Sequence, residues 1–193
     1  MLIRSREQDI ERVLISEEEI NTKVKELAEM LDRRLGDTRP LMICVLRGAS
    51  FFFADLCRRL PMDLDIDFIA VSSYEKGASS SGAVRLLKDT RYDVEGRDIV
   101  IVEDIIDSGL TLQYLRRLYA ARSPKSITTV TFLDKNTGRT NGVAVDFKLG
   151  FQTALQHPSD FVDYYSGLYI PPVDVLAADS WINGVFMSIS ITL

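Results

Sequence analysis

Residues 99–111 read IVIVEDIIDSGLT. Four apolar residues, Ile99 to Val102, suit a strand buried on both faces, as in a parallel sheet. Three carboxylates follow in quick succession: Glu103, Asp104 and Asp107. Ser108-Gly109-Leu110-Thr111 then opens a helix that runs to about Ala121. Ligands of open α/β sheets bind outside the carboxyl ends of the strands. A turn of small residues into a helix offers backbone N–H groups and the positive end of the helix dipole, a setting for a phosphate. Ser108 and Thr111 add hydroxyl donors. Adjacent carboxylates beside a phosphate suit the hydroxyls of a sugar, or Mg²⁺. The plainer alternative is an acidic loop that caps its own helix. Against it, three crowded carboxylates repel unless a cation or hydroxyl joins them.

The flanking sequence supplies the rest of an α/β pattern. Ser16 and Glu19 form a capping box, and Ile20, Val24, Leu27 and Leu31 follow at helical spacing until Gly36 and Pro40. Leu41 to Leu46 is a short apolar run that reads as a buried strand. A helix over Ser50–Leu60 and a strand over Asp65–Ser72 come next. Tyr74 to Tyr92 breaks the pattern, and its Gly77 to Gly82 stretch favours a mobile loop. Further strands are expected over Ser126–Leu133 and Val143–Leu149. Strands alternating with helices predict an α/β fold around a mainly parallel sheet flanked by helices.

Composition narrows the class. The 193 residues are 46% apolar and 26% charged, so a packed core is expected. A net charge of −5 argues against general nucleic-acid binding. Two cysteines, Cys44 and Cys57, are too few for a disulfide framework, and one histidine, His157, excludes multi-histidine metal sites. The charged start lacks a signal core, and no run reaches the roughly 20 apolar residues of a membrane helix. A cytoplasmic protein is the expectation. After Lys148 there is no Lys, Arg or Glu, only Asp160, Asp163, Asp174 and Asp179.

The segment IVIVEDIIDSGLT resembles the phosphoribosyl pyrophosphate motif of the purine phosphoribosyltransferases, and most of all their hypoxanthine-guanine branch. The resemblance runs from about residue 10 to 150. It implies the type I phosphoribosyltransferase fold: a single domain over 1–193, with a core at about 38–150. A small hood would come from the N-terminal segment and about 151–193. By the same resemblance Glu103 and Asp104 face the ribose hydroxyls and the Mg²⁺, Asp107 is the catalytic carboxylate that handles the proton on purine N7, and Ser108, Gly109, Leu110 and Thr111 cradle the 5′-phosphate. Val45-Leu46-Arg47-Gly48-Ala49 matches the pyrophosphate loop, in which Leu46–Arg47 would be a cis peptide. Arg47 and Gly48 suit that ligand chemically, a cation beside a bare backbone. Lys135, after Leu133-Asp134, matches the lysine that donates to the purine 6-oxygen. Arg139 matches an arginine near the phosphate and purine loops. Ser73-Tyr74 begins the flexible loop that closes over the reacting centre.

The implied reaction takes a 6-oxopurine, hypoxanthine or guanine, and phosphoribosyl pyrophosphate to the nucleoside monophosphate and pyrophosphate, with Mg²⁺ as cofactor. A xanthine-using enzyme of the same fold and a non-catalytic regulator that binds nucleotide are the alternatives. Small-molecule substrates are the expected partners, with neither nucleic acid nor membrane. The family's habit implies a homo-oligomer, a dimer or tetramer. The tail departs from the family pattern. Phe161-Val162 matches the aromatic residue over the purine and the next residue, whose backbone reads the base edge, but Tyr164 occupies a glycine position, Leu168 an aspartate position, and no arginine follows Arg139.

Overall fold

The computed structural model describes residues 15–73, 84–106, 108–134, 145–148, 162–163 and 168–169. The chain falls into two compact units, residues 1–21 with 154–193, and residues 22–153. In the first, Ser16 and Glu19 form the expected capping box at the start of α1 (Glu17–Leu35): the Glu19 N–H donates to the Ser16 hydroxyl at 3.2 Å, and the Ser16 N–H to the Glu19 carboxylate at 2.7 Å. The short strands β7 (Val162–Asp163) and β8 (Leu168–Tyr169) pair antiparallel in that unit.

The second unit is built on a six-stranded sheet. Its strands are β1 (Leu41–Leu46), β2 (Asp65–Ser73), β3 (Val84–Lys88), β4 (Asp98–Ile106), β5 (Ser126–Asp134) and β6 (Phe147–Lys148), in spatial order β3-β2-β1-β4-β5-β6. All pairs are parallel except β2 with β3. Helix α3 (Leu110–Ala120) covers one face: its Leu112, Leu115 and Tyr119 join Leu41, Ile43 and Val45 of β1 and Ile99 and Ile101 of β4 in one buried cluster. Helix α2 (Ser50–Cys57) lies against Phe132 and Phe68, with Phe52 and Phe53 at ring-centroid distances of 5.3 and 5.6 Å. Those two aromatics alternate with the residues of the α3-side cluster, so α2 lies on the opposite face.

Several elements differ from expectation; of the strand expected over Val143–Leu149, Val145 and Asp146 lie outside β6. Helix α2 ends at Cys57 rather than Leu60. Strand β4 does not stop at Val102; it continues to Ile106, so Glu103 and Asp104 lie on the strand itself rather than in a loop. The parallel ladder with β5 explains this, since Glu103 registers with Thr131 and Ile105 with Leu133. Strand β3 falls where no strand was expected. Its sequence, Val84 to Lys88, is mostly exposed and pairs on one side only, as an edge strand does.

The strand order places the site. From β1 the chain moves outward to β2 and β3, then returns across β1 to β4 and continues to β5 and β6. The direction reverses between β1 and β4. That is a topological switch point, and the crevice beyond the carboxyl ends of those two strands is the default ligand site of an open α/β sheet.

Candidate active site

Two chain segments meet at the switch point. The first is the turn Arg47-Gly48-Ala49, which leads from β1 into α2. The Leu46–Arg47 peptide is cis. The second is the acidic end of β4. They touch: a Cβ at Gly48 would fall deep inside contact distance of the Asp104 carboxylate, whose Cγ would lie only 2.7 Å from it. Glycine is needed here for close approach. The sequence placed both segments at strand ends; their contact required the β1–β4 pairing.

The two carboxylates of β4 are not equivalent. Asp104 accepts the Ile105 N–H at 2.7 Å. Its backbone carbonyl is tied across to β5, where the Thr131 hydroxyl reaches it at 3.3 Å while donating to the Leu133 carbonyl at 2.9 Å. The Glu103 side chain points inward. Its Oε2 is sealed from solvent and has no hydrogen-bond partner among the described residues. Burial, and after it the charge of Asp104, push the Glu103 carboxyl well above the usual carboxylate range. An orphaned buried oxygen next to a second carboxylate is costly unless a cation or a hydroxyl joins the pair.

Beyond β4 the chain turns into α3. Gly109, the N-cap, sits at φ 76°, a left-handed conformation that a side chain resists. Ser108 is exposed, and its hydroxyl accepts the Leu110 N–H at 3.5 Å. Leu110 is exposed and Thr111 half-buried in the first turn. No acidic residue occupies that turn, so the positive end of the helix is left for an anion.

The remaining candidates fall elsewhere. Asp107, Lys135, Arg139, Phe161 and Tyr74 lie outside the described residues. Val162 is described only as backbone in β7, and Ser73 only as the last residue of β2. Among the described residues no group of three or more His, Cys, Asp or Glu side chains could hold a metal ion. Glu103 and Asp104 nonetheless fit Mg²⁺, which keeps several waters and is bound through one or two carboxylates together with substrate phosphates. The unpartnered Glu103 oxygen is the structural sign of that fit. Sequence reasoning passed over Thr131 and the buried Asp134, which ends β5 just before Lys135.

The comparisons agree with this geometry. Residues 16–158 match the family described as phosphoribosyl transferase domain. The chain is 49% identical over 172 residues to the hypoxanthine-guanine phosphoribosyltransferase of Bacillus subtilis (strain 168), covering 87% of this chain and 94% of the relative. It is 46% identical over 141 residues to the enzyme of that name from Streptococcus pyogenes serotype M3, covering 73% and 78%. Among solved structures, a hypoxanthine-guanine phosphoribosyltransferase from Bacillus anthracis superposes with a TM-score of 0.68 at 40% identity, over 72% of this chain and 82% of that one. Hypoxanthine phosphoribosyltransferase from Trypanosoma cruzi in complex with the product IMP gives 0.65 at 44% identity, over 72% and 79%.

Proposed function

The chain belongs to the phosphoribosyltransferase family, and we propose that it is a purine-salvage transferase that makes IMP or GMP from hypoxanthine or guanine and phosphoribosyl pyrophosphate. The observation that carries this reading is the contact of Gly48 with Asp104. It joins an Arg-Gly loop suited to pyrophosphate to a pair of carboxylates suited to ribose hydroxyls, one turn from an anion-receptive helix start.

In this reading purine N9 attacks C1 of the ribose. The C1–O bond to pyrophosphate breaks, and pyrophosphate leaves with the bonding pair through an oxocarbenium-like state. The proton on purine N7 passes to Asp107. Arg47 and the Gly48 backbone hold pyrophosphate; Ser108 to Thr111 hold the 5′-phosphate. Glu103 and Asp104 orient the ribose hydroxyls and would hold Mg²⁺, which when bound offsets the charge developing on the leaving pyrophosphate. Lys135 donates to the 6-oxygen, which favours 6-oxopurines over adenine. Phe161 and Val162 meet the purine, Arg139 supports the phosphates, and Ser73-Tyr74 begins a loop whose closure keeps water from the reactive sugar. The domain is one phosphoribosyltransferase unit, with its core at about 38–150 and its hood drawn from the two termini. It works as a homo-oligomer in the cytoplasm; no helix among the described residues is long and apolar enough to cross a membrane.

A base panel tests the reading. With phosphoribosyl pyrophosphate and Mg²⁺, turnover of hypoxanthine and guanine is expected. Preference for xanthine would move the chain to a sister activity. Sugar-donor binding without turnover of any base would make it a sensor.

A further inference from the structure

Ser50, the first residue of α2, makes two bonds to one acceptor. Its N–H donates to the Arg47 carbonyl at 3.1 Å and its hydroxyl donates to the same oxygen at 2.6 Å. The Arg47 carbonyl and the Gly48 N–H belong to one peptide plane. In a planar trans peptide these two groups point in opposite directions. Holding the carbonyl towards Ser50 therefore aims the Gly48 N–H away from α2. If that plane rotated, the Arg47 carbonyl, a partial negative charge, would replace a donor in the loop.

We propose that Ser50 is a positioning residue for the pyrophosphate loop, its hydroxyl fixing the plane of the Arg47–Gly48 peptide and so the direction of the Gly48 N–H. The inference rests on the assignment of Arg47-Gly48 to pyrophosphate.

The test compares wild type, Ser50→Ala and Ser50→Thr. Three quantities are read: KM for phosphoribosyl pyrophosphate, KM for hypoxanthine, and the calorimetric Kd of magnesium pyrophosphate. Loss of one hydrogen bond should raise the donor KM and the pyrophosphate Kd by about three- to tenfold in Ser50→Ala. The hypoxanthine KM should hold, and Ser50→Thr, which keeps the hydroxyl, should restore the rest. Equal pyrophosphate binding in Ser50→Ala and wild type would overturn the proposal. So would a parallel loss for both substrates with a lowered Tm that Ser50→Thr does not rescue. If wild type binds pyrophosphate but turns over no base, the proposed reaction fails while the Ser50 comparison still decides this point. If wild type binds no pyrophosphate at all, both fail.

Discussion

Asp67 of β2 and Glu103 of β4 are acids of the same sheet in opposite circumstances. Asp67 is 1% exposed, and donors surround it: the Arg91 N–H at 2.6 Å, the Thr90 hydroxyl at 2.7 Å, the Phe68 N–H at 2.8 Å and the Lys88 ammonium at 3.4 Å. Burial alone would raise its pKa. The Arg91, Phe68 and Thr90 hydrogen bonds and the Lys88 charge outweigh that and bring it to about 2. Glu103 has a sealed oxygen with no such donor among the described residues, and burial, then the like charge of Asp104, moves its pKa the other way. The difference separates architecture from chemistry. A carboxylate whose lone pairs are used holds the turn after β3 onto β2. One with an idle oxygen at the switch point is poised for something the free protein does not contain.

The largest effect should come from removing chemistry at the β4 end. Asp107→Asn keeps the shape and takes away the proton acceptor, so kcat should fall by roughly 10²–10⁴-fold while sugar-donor binding survives. Asp67→Asn should leave the kcat of the folded protein nearly unchanged. Steady-state kinetics on both variants breaks the comparison if Asp67→Asn is the more damaging.

Next in size is the cost of emptying the satisfied site. Asp67→Ala strands the Arg91 and Phe68 N–H groups and the Thr90 hydroxyl, a loss of about 3 kcal/mol in urea unfolding. A loss below about 1 kcal/mol would mean that the turn is held by other contacts.

This contrast also marks what the sequence could reveal. The continuous apolar runs of β1 and β4 were legible because a parallel strand buried on both faces has few other readings. The capping box of α1 was legible because its partners are three residues apart. Asp67 was not: it is one acid in a loosely alternating strand, and its partners Thr90 and Arg91 lie 23 and 24 residues away. Strand β3 was missed because VRLLK follows a small polar stretch and lacks a clean alternation. The acidic motif was read as a loop after a strand ending at Val102, whereas Glu103 to Ile106 continue that strand. The pairing of Glu103 with Thr131 and the approach of Asp104 to Gly48 arise only when β4 is inserted between β1 and β5.

Acid should sharpen the comparison by a smaller amount. Asp67 has its folded pKa lowered from 3.8 to about 2. Between those values the unfolded chain binds more protons than the folded one, so lowering the pH favours unfolding. Its stabilisation is present above about pH 4 and is lost as pH falls towards 2, by about 2 kcal/mol. Unfolding free energy measured across this window should slope less in Asp67→Asn than in wild type. Parallel slopes would show that other carboxylates carry the acid sensitivity.

The smallest effect on stability, and the most informative, is expected at Glu103. Glu103→Gln preserves volume while removing a buried carboxyl whose ionisation burial and the neighbouring Asp104 oppose, and whose Oε2 has no partner among the described residues. Replacing a buried carboxyl that resists ionisation by a neutral amide of the same volume is neutral or mildly favourable, so the free variant should unfold within about 1 kcal/mol of wild type, or above it. What it should lose is the gain on ligand binding. Phosphoribosyl pyrophosphate with Mg²⁺ raises apparent stability in proportion to the logarithm of its concentration over Kd. A tenfold weaker Kd removes about 1.4 kcal/mol of that gain at saturating ligand. Thermal unfolding with and without the ligand reads both quantities in one experiment. A Glu103→Gln protein as unstable as Asp67→Ala, with its ligand-induced shift intact, would make Glu103 a structural acid like Asp67 and remove the distinction between the two regions.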